Sequence, residues 1–183
     1  MVKALDPKLL LKAKMGEALV AALFQAQGWH IERIGLEHQL AIEQRGLDGS
    51  RGSRAISDMP DLLAYQERTD GVRVVLVEVK THKLAPPADQ LERYARFDGV
   101  VIAWVSPTGI RASWVIADEQ GLRVPQNSQD YKPIEHVDSL WFDESIMDDF
   151  HDMAGHLHQA KAPERTPMAM TGKWSPKRSI GSS

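Results

Sequence analysis

The most apolar run of the chain is Val72, Val74, Val75, Leu76 and Val77, and it passes without a break into Glu78, Val79 and Lys80. A run this hydrophobic predicts a strand buried on both faces, in the middle of a sheet. Ending it in a carboxylate and an ammonium costs desolvation energy unless each charge finds a partner. Upstream, residues 7–27 predict a helix. Asp6 can cap it, Pro7 suits its first position, and Gly28 can end it. Its apolar face is expected to hold Leu9, Leu10, Ala13, Leu19, Val20, Leu23 and Phe24. Gly16, within that helix, would let another segment come close, and Glu17 follows it.

Residues 29–34 alternate as a first strand, with Trp29 and Ile31 on one side and His30 and Glu32 on the other. Residues 61–66 predict a second strand and 72–80 a third, joined through the turn signal Asp70-Gly71. After Pro86-Pro87, residues 88–97 predict a helix carrying Gln90 and Tyr94 at i and i+4, on one face. Two more strands are expected at 100–105 and 110–117, and an acidic amphipathic helix at 140–159. The helix between the third and fourth strands makes a crossover, so that pair should be parallel while the hairpin is antiparallel. The expected architecture is an α/β domain with a mixed central sheet of four to five strands flanked by helices.

The hairpin allows two registers. If Glu67 opposes Val72, Asp61 faces Glu78; if Asp70 and Gly71 alone form the centre of the loop, Asp61 faces Lys80. Both put Asp61, Glu78 and Lys80 on one face, because cross-strand partners and alternate residues share a face. Two carboxylates about 5 Å apart across a strand pair repel unless a proton or cation lies between them. Asp61, Glu78 and the Val79 carbonyl offer hard oxygen ligands, a set that suits Mg²⁺, with Mn²⁺ as a substitute. Lys80 can hold a metal-bound water and neutralise charge on a phosphate, and Glu17 can complete a metal shell.

Composition narrows this picture. The chain has 183 residues, 43% of them hydrophobic, no cysteine and a net charge of −3. It therefore has no thiolate metal site and no cysteine nucleophile. The first residues lack a secretory apolar core and no run approaches a membrane span, so a cytoplasmic protein without membrane contact is expected. Charge is unevenly placed. Arg45, Arg51 and Arg54 lie in a glycine-rich loop suited either to gripping phosphate or to plain solvation. His82, close behind Lys80, is a further candidate phosphate contact. Residues 138–152 hold six acidic residues and no Lys or Arg, while Lys161, Arg165, Lys173, Lys177 and Arg178 mark a basic tail. These suggest a core at 1–125, an appended acidic helical segment at 126–160 and a tail at 161–183. His151, His156 and His158 lack the spacing of a zinc helix and are expected at a solvated helix end.

Pro60-Asp61, sixteen residues, then Glu78-Val79-Lys80 resembles the signature of the PD-(D/E)xK nucleases. Glu17 followed by Gly28-Trp29 resembles the first-helix glutamate and strand entry of archaeal Holliday-junction resolvases and Mrr-like enzymes. Gln90-Leu91-Glu92-Arg93-Tyr94 resembles the QxxxY element of RecB-type members. The resemblance covers residues 7–117. It implies a restriction-endonuclease-like core, a metal site of Asp61, Glu78, Val79 and Glu17, catalysis by Lys80, and support from Gln90 and Tyr94. The expected activity is Mg²⁺-dependent cleavage of DNA by a structure-specific or partner-recruited endonuclease. An exonuclease and a catalytically silent binding module on the same fold stand as alternatives. A homodimer, or a protein partner held through the acidic helix or the tail, would complete such a system.

Overall fold

The computed structural model describes residues 6–34, 59–97 and 99–159. The arginine loop (Arg45, Arg51, Arg54) and the tail from residue 160 lie outside them. Helix α1 runs Pro7–Ala26, with the Asp6 carboxylate accepting from the Lys8 amide at 2.9 Å. Its end is a Schellman turn: the Trp29 amide reaches the Phe24 carbonyl (2.9 Å) and the Gly28 amide the Gln25 carbonyl (3.0 Å). Gly28 takes the φ of +78° that this turn requires. The helix buries Val20, Leu23 and Phe24 completely, but Leu9 and Leu10, expected on that face, are exposed.

Among the described residues the sheet has seven strands, not four to five. β1 is His30–Arg33, β2 Leu62–Arg68, β3 Gly71–Thr81, β4 Val100–Ser106, β5 Gly109–Asp118, β6 Gly121–Arg123 and β7 Lys132–Pro133. The order is β1-β2-β3-β4-β5-β6, with β7 also paired to β5. Among the described strands only β3 and β4 are parallel; the other pairs are antiparallel. The β2–β3 register sets Glu67 opposite Val72, the first of the two expected. Pairing continues to Arg68 and Gly71, so the loop shrinks to Thr69 and Asp70, and Gly71 adopts φ +133°.

One face of the sheet carries Val75, Val77, Val79, Val101, Ala103 and Val105 against α1 and helix α3 (Met147–Gln159). The other carries Val100, Ile102, Trp104 and Val115 beneath Leu91, Tyr94 and Tyr131. β4 is therefore buried throughout, each fully enclosed Val or Ile contributing about 1.5–3 kcal/mol. The segment 88–97 is not one α-helix. Helix α2 stops after Ala88–Leu91, and Glu92–Arg96 winds as a 3₁₀ turn. The expected boundary near residue 125 does not coincide with a break in packing. Ile134, Val137, Leu140, Phe142, Met147 and Ala154 join the same apolar cluster as α1. Helix α3 begins at Met147 rather than residue 140, its acidic side chains Asp148, Asp149 and Asp152 exposed.

Candidate functional site

β2 begins at Leu62, which pairs with Val77. Past that point β3 runs on through Thr81 with β4 on one flank and, among the described residues, no strand on the other. Asp61 stands at this fork. Its carbonyl accepts the Ile34 amide (3.0 Å), and its carboxylate accepts the Val79 amide at 2.8 Å. The side chain thus stands where a strand residue would otherwise pair. In an extended strand a residue's N–H and C=O point to the same flank, so the Val79 carbonyl also faces the fork.

Extending the register places Asp61 level with Glu78, on the face that carries Lys80 and Tyr94. Glu78 is almost wholly enclosed, 4% exposed, and does not stand alone. Its Oε1 receives a hydrogen bond from Lys80 Nζ and lies 3.7 Å from Arg93 Nη2. The Tyr94 hydroxyl donates to Glu78 and accepts from Arg93 Nη2 at 2.8 Å. Burial, and then the Glu78 charge, push the Tyr94 hydroxyl far above its ordinary range, so it stays a donor.

Glu17 arrives from α1, on the other face. Its carboxylate is ion-paired to Lys14 at 2.8 Å and is 13% exposed. The helix can bring it this close because Gly16 lies directly on Thr81 of β3. The electrostatic result appears at Asp61. Burial raises its pKa first, then repulsion from Glu78; the Val79 hydrogen bond lowers it; Glu17 raises it again, and Lys80 lowers it. The balance is a carboxyl pushed up to about 7 from its ordinary 3.8. Burial and repulsion from Glu78 and Glu17 outweigh the Val79 hydrogen bond and the Lys80 charge at this carboxyl, a balance that an added cation would reverse.

The donor set of Asp61, Glu78 and the Val79 carbonyl fits a small hard cation by its chemistry. Among the described residues, no three His, Cys, Asp or Glu side chains converge into a metal-holding group. Asp61 is turned to the Val79 amide, Glu78 to Lys80, and Glu17 to Lys14.

The structure separates Gln90 from Tyr94. In a continuous α-helix, i and i+4 share a face. The tighter 3₁₀ winding from Glu92 turns Tyr94 inward, 1% exposed, and leaves Gln90 exposed, with a hydrogen bond from its backbone amide to Asp89. Arg93, unremarked in the sequence, is the residue that reaches Glu78 beside Tyr94. Its only sequence signal is its place beside Tyr94, since the pattern gave no reason for a buried acid to need a second cation. His82 is exposed and next to the site. Burial, Lys80 and Lys12 lower its pKa, and its carbonyl accepts from Trp104 Nε1 at 2.9 Å. Arg45, Arg51 and Arg54 lie outside the described residues.

No protein-family model matches this chain, and neither a curated protein nor a solved structure is significantly similar to it. Among the described residues no helix is long and apolar enough to cross a membrane.

Proposed function

We propose that the protein is a Mg²⁺-dependent DNA endonuclease with a restriction-endonuclease-like core of the PD-(D/E)xK kind, structure-specific or delivered by a partner. One observation carries the reading. The fork where β2 leaves β3 gathers Asp61, Glu78 and Lys80 on one face, with Glu17 near enough to raise the Asp61 pKa.

Asp61, Glu78 and the Val79 carbonyl would hold Mg²⁺, with Glu17 beside them. Bound there, Mg²⁺ would lower the pKa of a water and offset charge on the phosphate. Lys80, anchored by Glu78, would orient the attacking water and neutralise the negative charge that grows on the phosphoryl oxygens. Arg93 and Tyr94 fix Glu78, so its carboxylate holds one orientation. The exposed Gln90 removes part of the support for an exonuclease, since the QxxxY pair does not converge on the site.

The test is incubation with branched, linear duplex and single-stranded DNA in Mg²⁺ or Mn²⁺, beside Asp61→Ala and Lys80→Ala. Cleavage by the wild type and by neither variant is expected. Cleavage that survives in both variants, or its absence from the wild type on every substrate, overturns the reading.

A further inference from the structure

Two cations on the Lys80 face have no part in the site described above. Lys80, Trp104 and Arg111 stand side by side in the registers of β3, β4 and β5. With roughly 4.8 Å between neighbouring strands, the Arg111 backbone lies about 10 Å from that of Lys80. After Thr81 the chain leaves the sheet through His82 and Lys83. A cavity of about 390 Å³ opens between Lys83 and Arg111. Trp104 forms part of its wall, and Thr108, Ser128 and Gln129 add hydroxyl and amide groups.

Among the described residues neither Lys83 nor Arg111 has a carboxylate partner. Arg111 donates through Nε (3.0 Å) and Nη2 to the Tyr131 carbonyl, which fixes its guanidinium without neutralising it. Lys83 belongs to a wider positive zone. Its charge acts on Lys12 and on His158, and Lys12 Nζ lies 2.8 Å from His158 Nδ1. The acids of the hairpin site are each held by their own partners. A cavity lined by hydroxyls, an amide and two uncompensated cations is complementary to an oxyanion.

We infer that this cavity is a phosphate subsite, seating a backbone phosphate of the same nucleic-acid strand that crosses Lys80. The strand's identity rests on the nuclease reading; the anion chemistry of the cavity does not. Lys83 and Arg111 supply the charge, Arg111 from a fixed guanidinium, and the Ser128 hydroxyl and Gln129 amide the uncharged donors.

The experiment is equilibrium binding of fluorescently labelled single-stranded and duplex DNA, followed by anisotropy across a salt series in EDTA, so that nothing is cut. Lys83→Glu is expected to weaken binding several-fold and to reduce the slope of log K against log salt by about 1. Thr108→Glu, which places a carboxylate in the cavity, is expected to act in the same direction. Arg68→Glu, at the far end of the β2–β3 hairpin, is the control for net charge and is expected to bind like the wild type. Circular dichroism checks that each variant is folded. The subsite is overturned if Lys83→Glu and Thr108→Glu bind like the wild type, if Arg68→Glu weakens binding equally, or if the wild type binds no DNA. DNA bound in a Lys83-dependent way but never cleaved in Mg²⁺ upholds the subsite and removes the nuclease reading. Cleavage with Lys83-independent binding does the reverse.

Discussion

A Cβ added to Gly16 would lie 1.9 Å from Thr81 Oγ1 and 3.0 Å from Thr81 Cβ, so α1 can rest on β3 only because residue 16 is a glycine. Rotating Thr81 moves its Oγ1 but not its Cβ. Gly16→Ala is therefore expected to force the helix off the strand, with a loss of roughly 1–3 kcal/mol in urea unfolding. Because Glu17 moves with the helix, cleavage should fall at temperatures where the variant is still folded. Thr81 Oγ1 is buried without a hydrogen-bond partner. Thr81→Val is accordingly expected to be neutral or stabilising.

Glu78 is a buried acid with two cations beside it, Lys80 and Arg93. Losing one leaves the other to offset the charge; losing both leaves a buried carboxylate with only the Tyr94 hydroxyl. Lys80→Ala and Arg93→Ala should therefore be non-additive in stability, the double variant losing more than the sum by about 0.5–3 kcal/mol. Urea unfolding of the four proteins of the cycle measures this. In activity the two should differ: Lys80→Ala abolishes cleavage, whereas Arg93→Ala only weakens it.

The hairpin was legible because its turn residues and its apolar run constrain each other. Either expected register put Asp61, Glu78 and Lys80 on one face, and the structure adopts the first. Gly16 was legible as a point of close approach, and Asp6, Pro7 and Gly28 as the ends of α1. Three things were hidden for physical reasons. The change from α to 3₁₀ winding at Glu92 leaves no mark in the apolar pattern, so Gln90 and Tyr94 looked like neighbours. β6 and β7 have three and two residues, too few for any alternation to show. The acids of α3 drew attention to its exposed side, while its contribution to the core is only Met147, Ala154 and the partly buried Phe150 and Leu157.

Asp61 ties stability to pH. Its folded pKa of about 7 lies above its ordinary 3.8, so between these values the native metal-free protein holds a proton that the unfolded chain has released. Stability should then fall as pH rises from about 4 to 7, and this term should be constant above that window. Thermal unfolding in EDTA at intervals across the window is the measurement, and Asp61→Asn should flatten the profile. Adding Mg²⁺ should raise the melting temperature more at pH 8 than at pH 5, because the cation then takes the place of a proton already gone.

His151 belongs to the scaffold. Its Nδ1 accepts the Ile110 amide at 3.0 Å, and its Nε2 lies 3.2 Å from both Glu135 oxygens. His151→Ala leaves the Ile110 amide and Glu135 without that partner, at a cost of about 1–3 kcal/mol. Cleavage per folded molecule should be unchanged, and added Zn²⁺ should not stabilise the wild type through this residue.

α1 and α3 close the core from opposite ends of the described chain. The Gln27 side chain exchanges two hydrogen bonds with the Asp143 backbone (2.9 and 2.7 Å), 116 residues away in sequence, and Lys12 meets His158. As the chain is made, α1 must therefore wait for α3 before it can bury Leu19, Val20 and Phe24 together with Met147 and Ala154. During synthesis the sheet can assemble while one of its faces is only half covered. A chain stopped short of residue 147 would carry all of Asp61, Glu78 and Lys80 and still lack the helix that seals the core behind them.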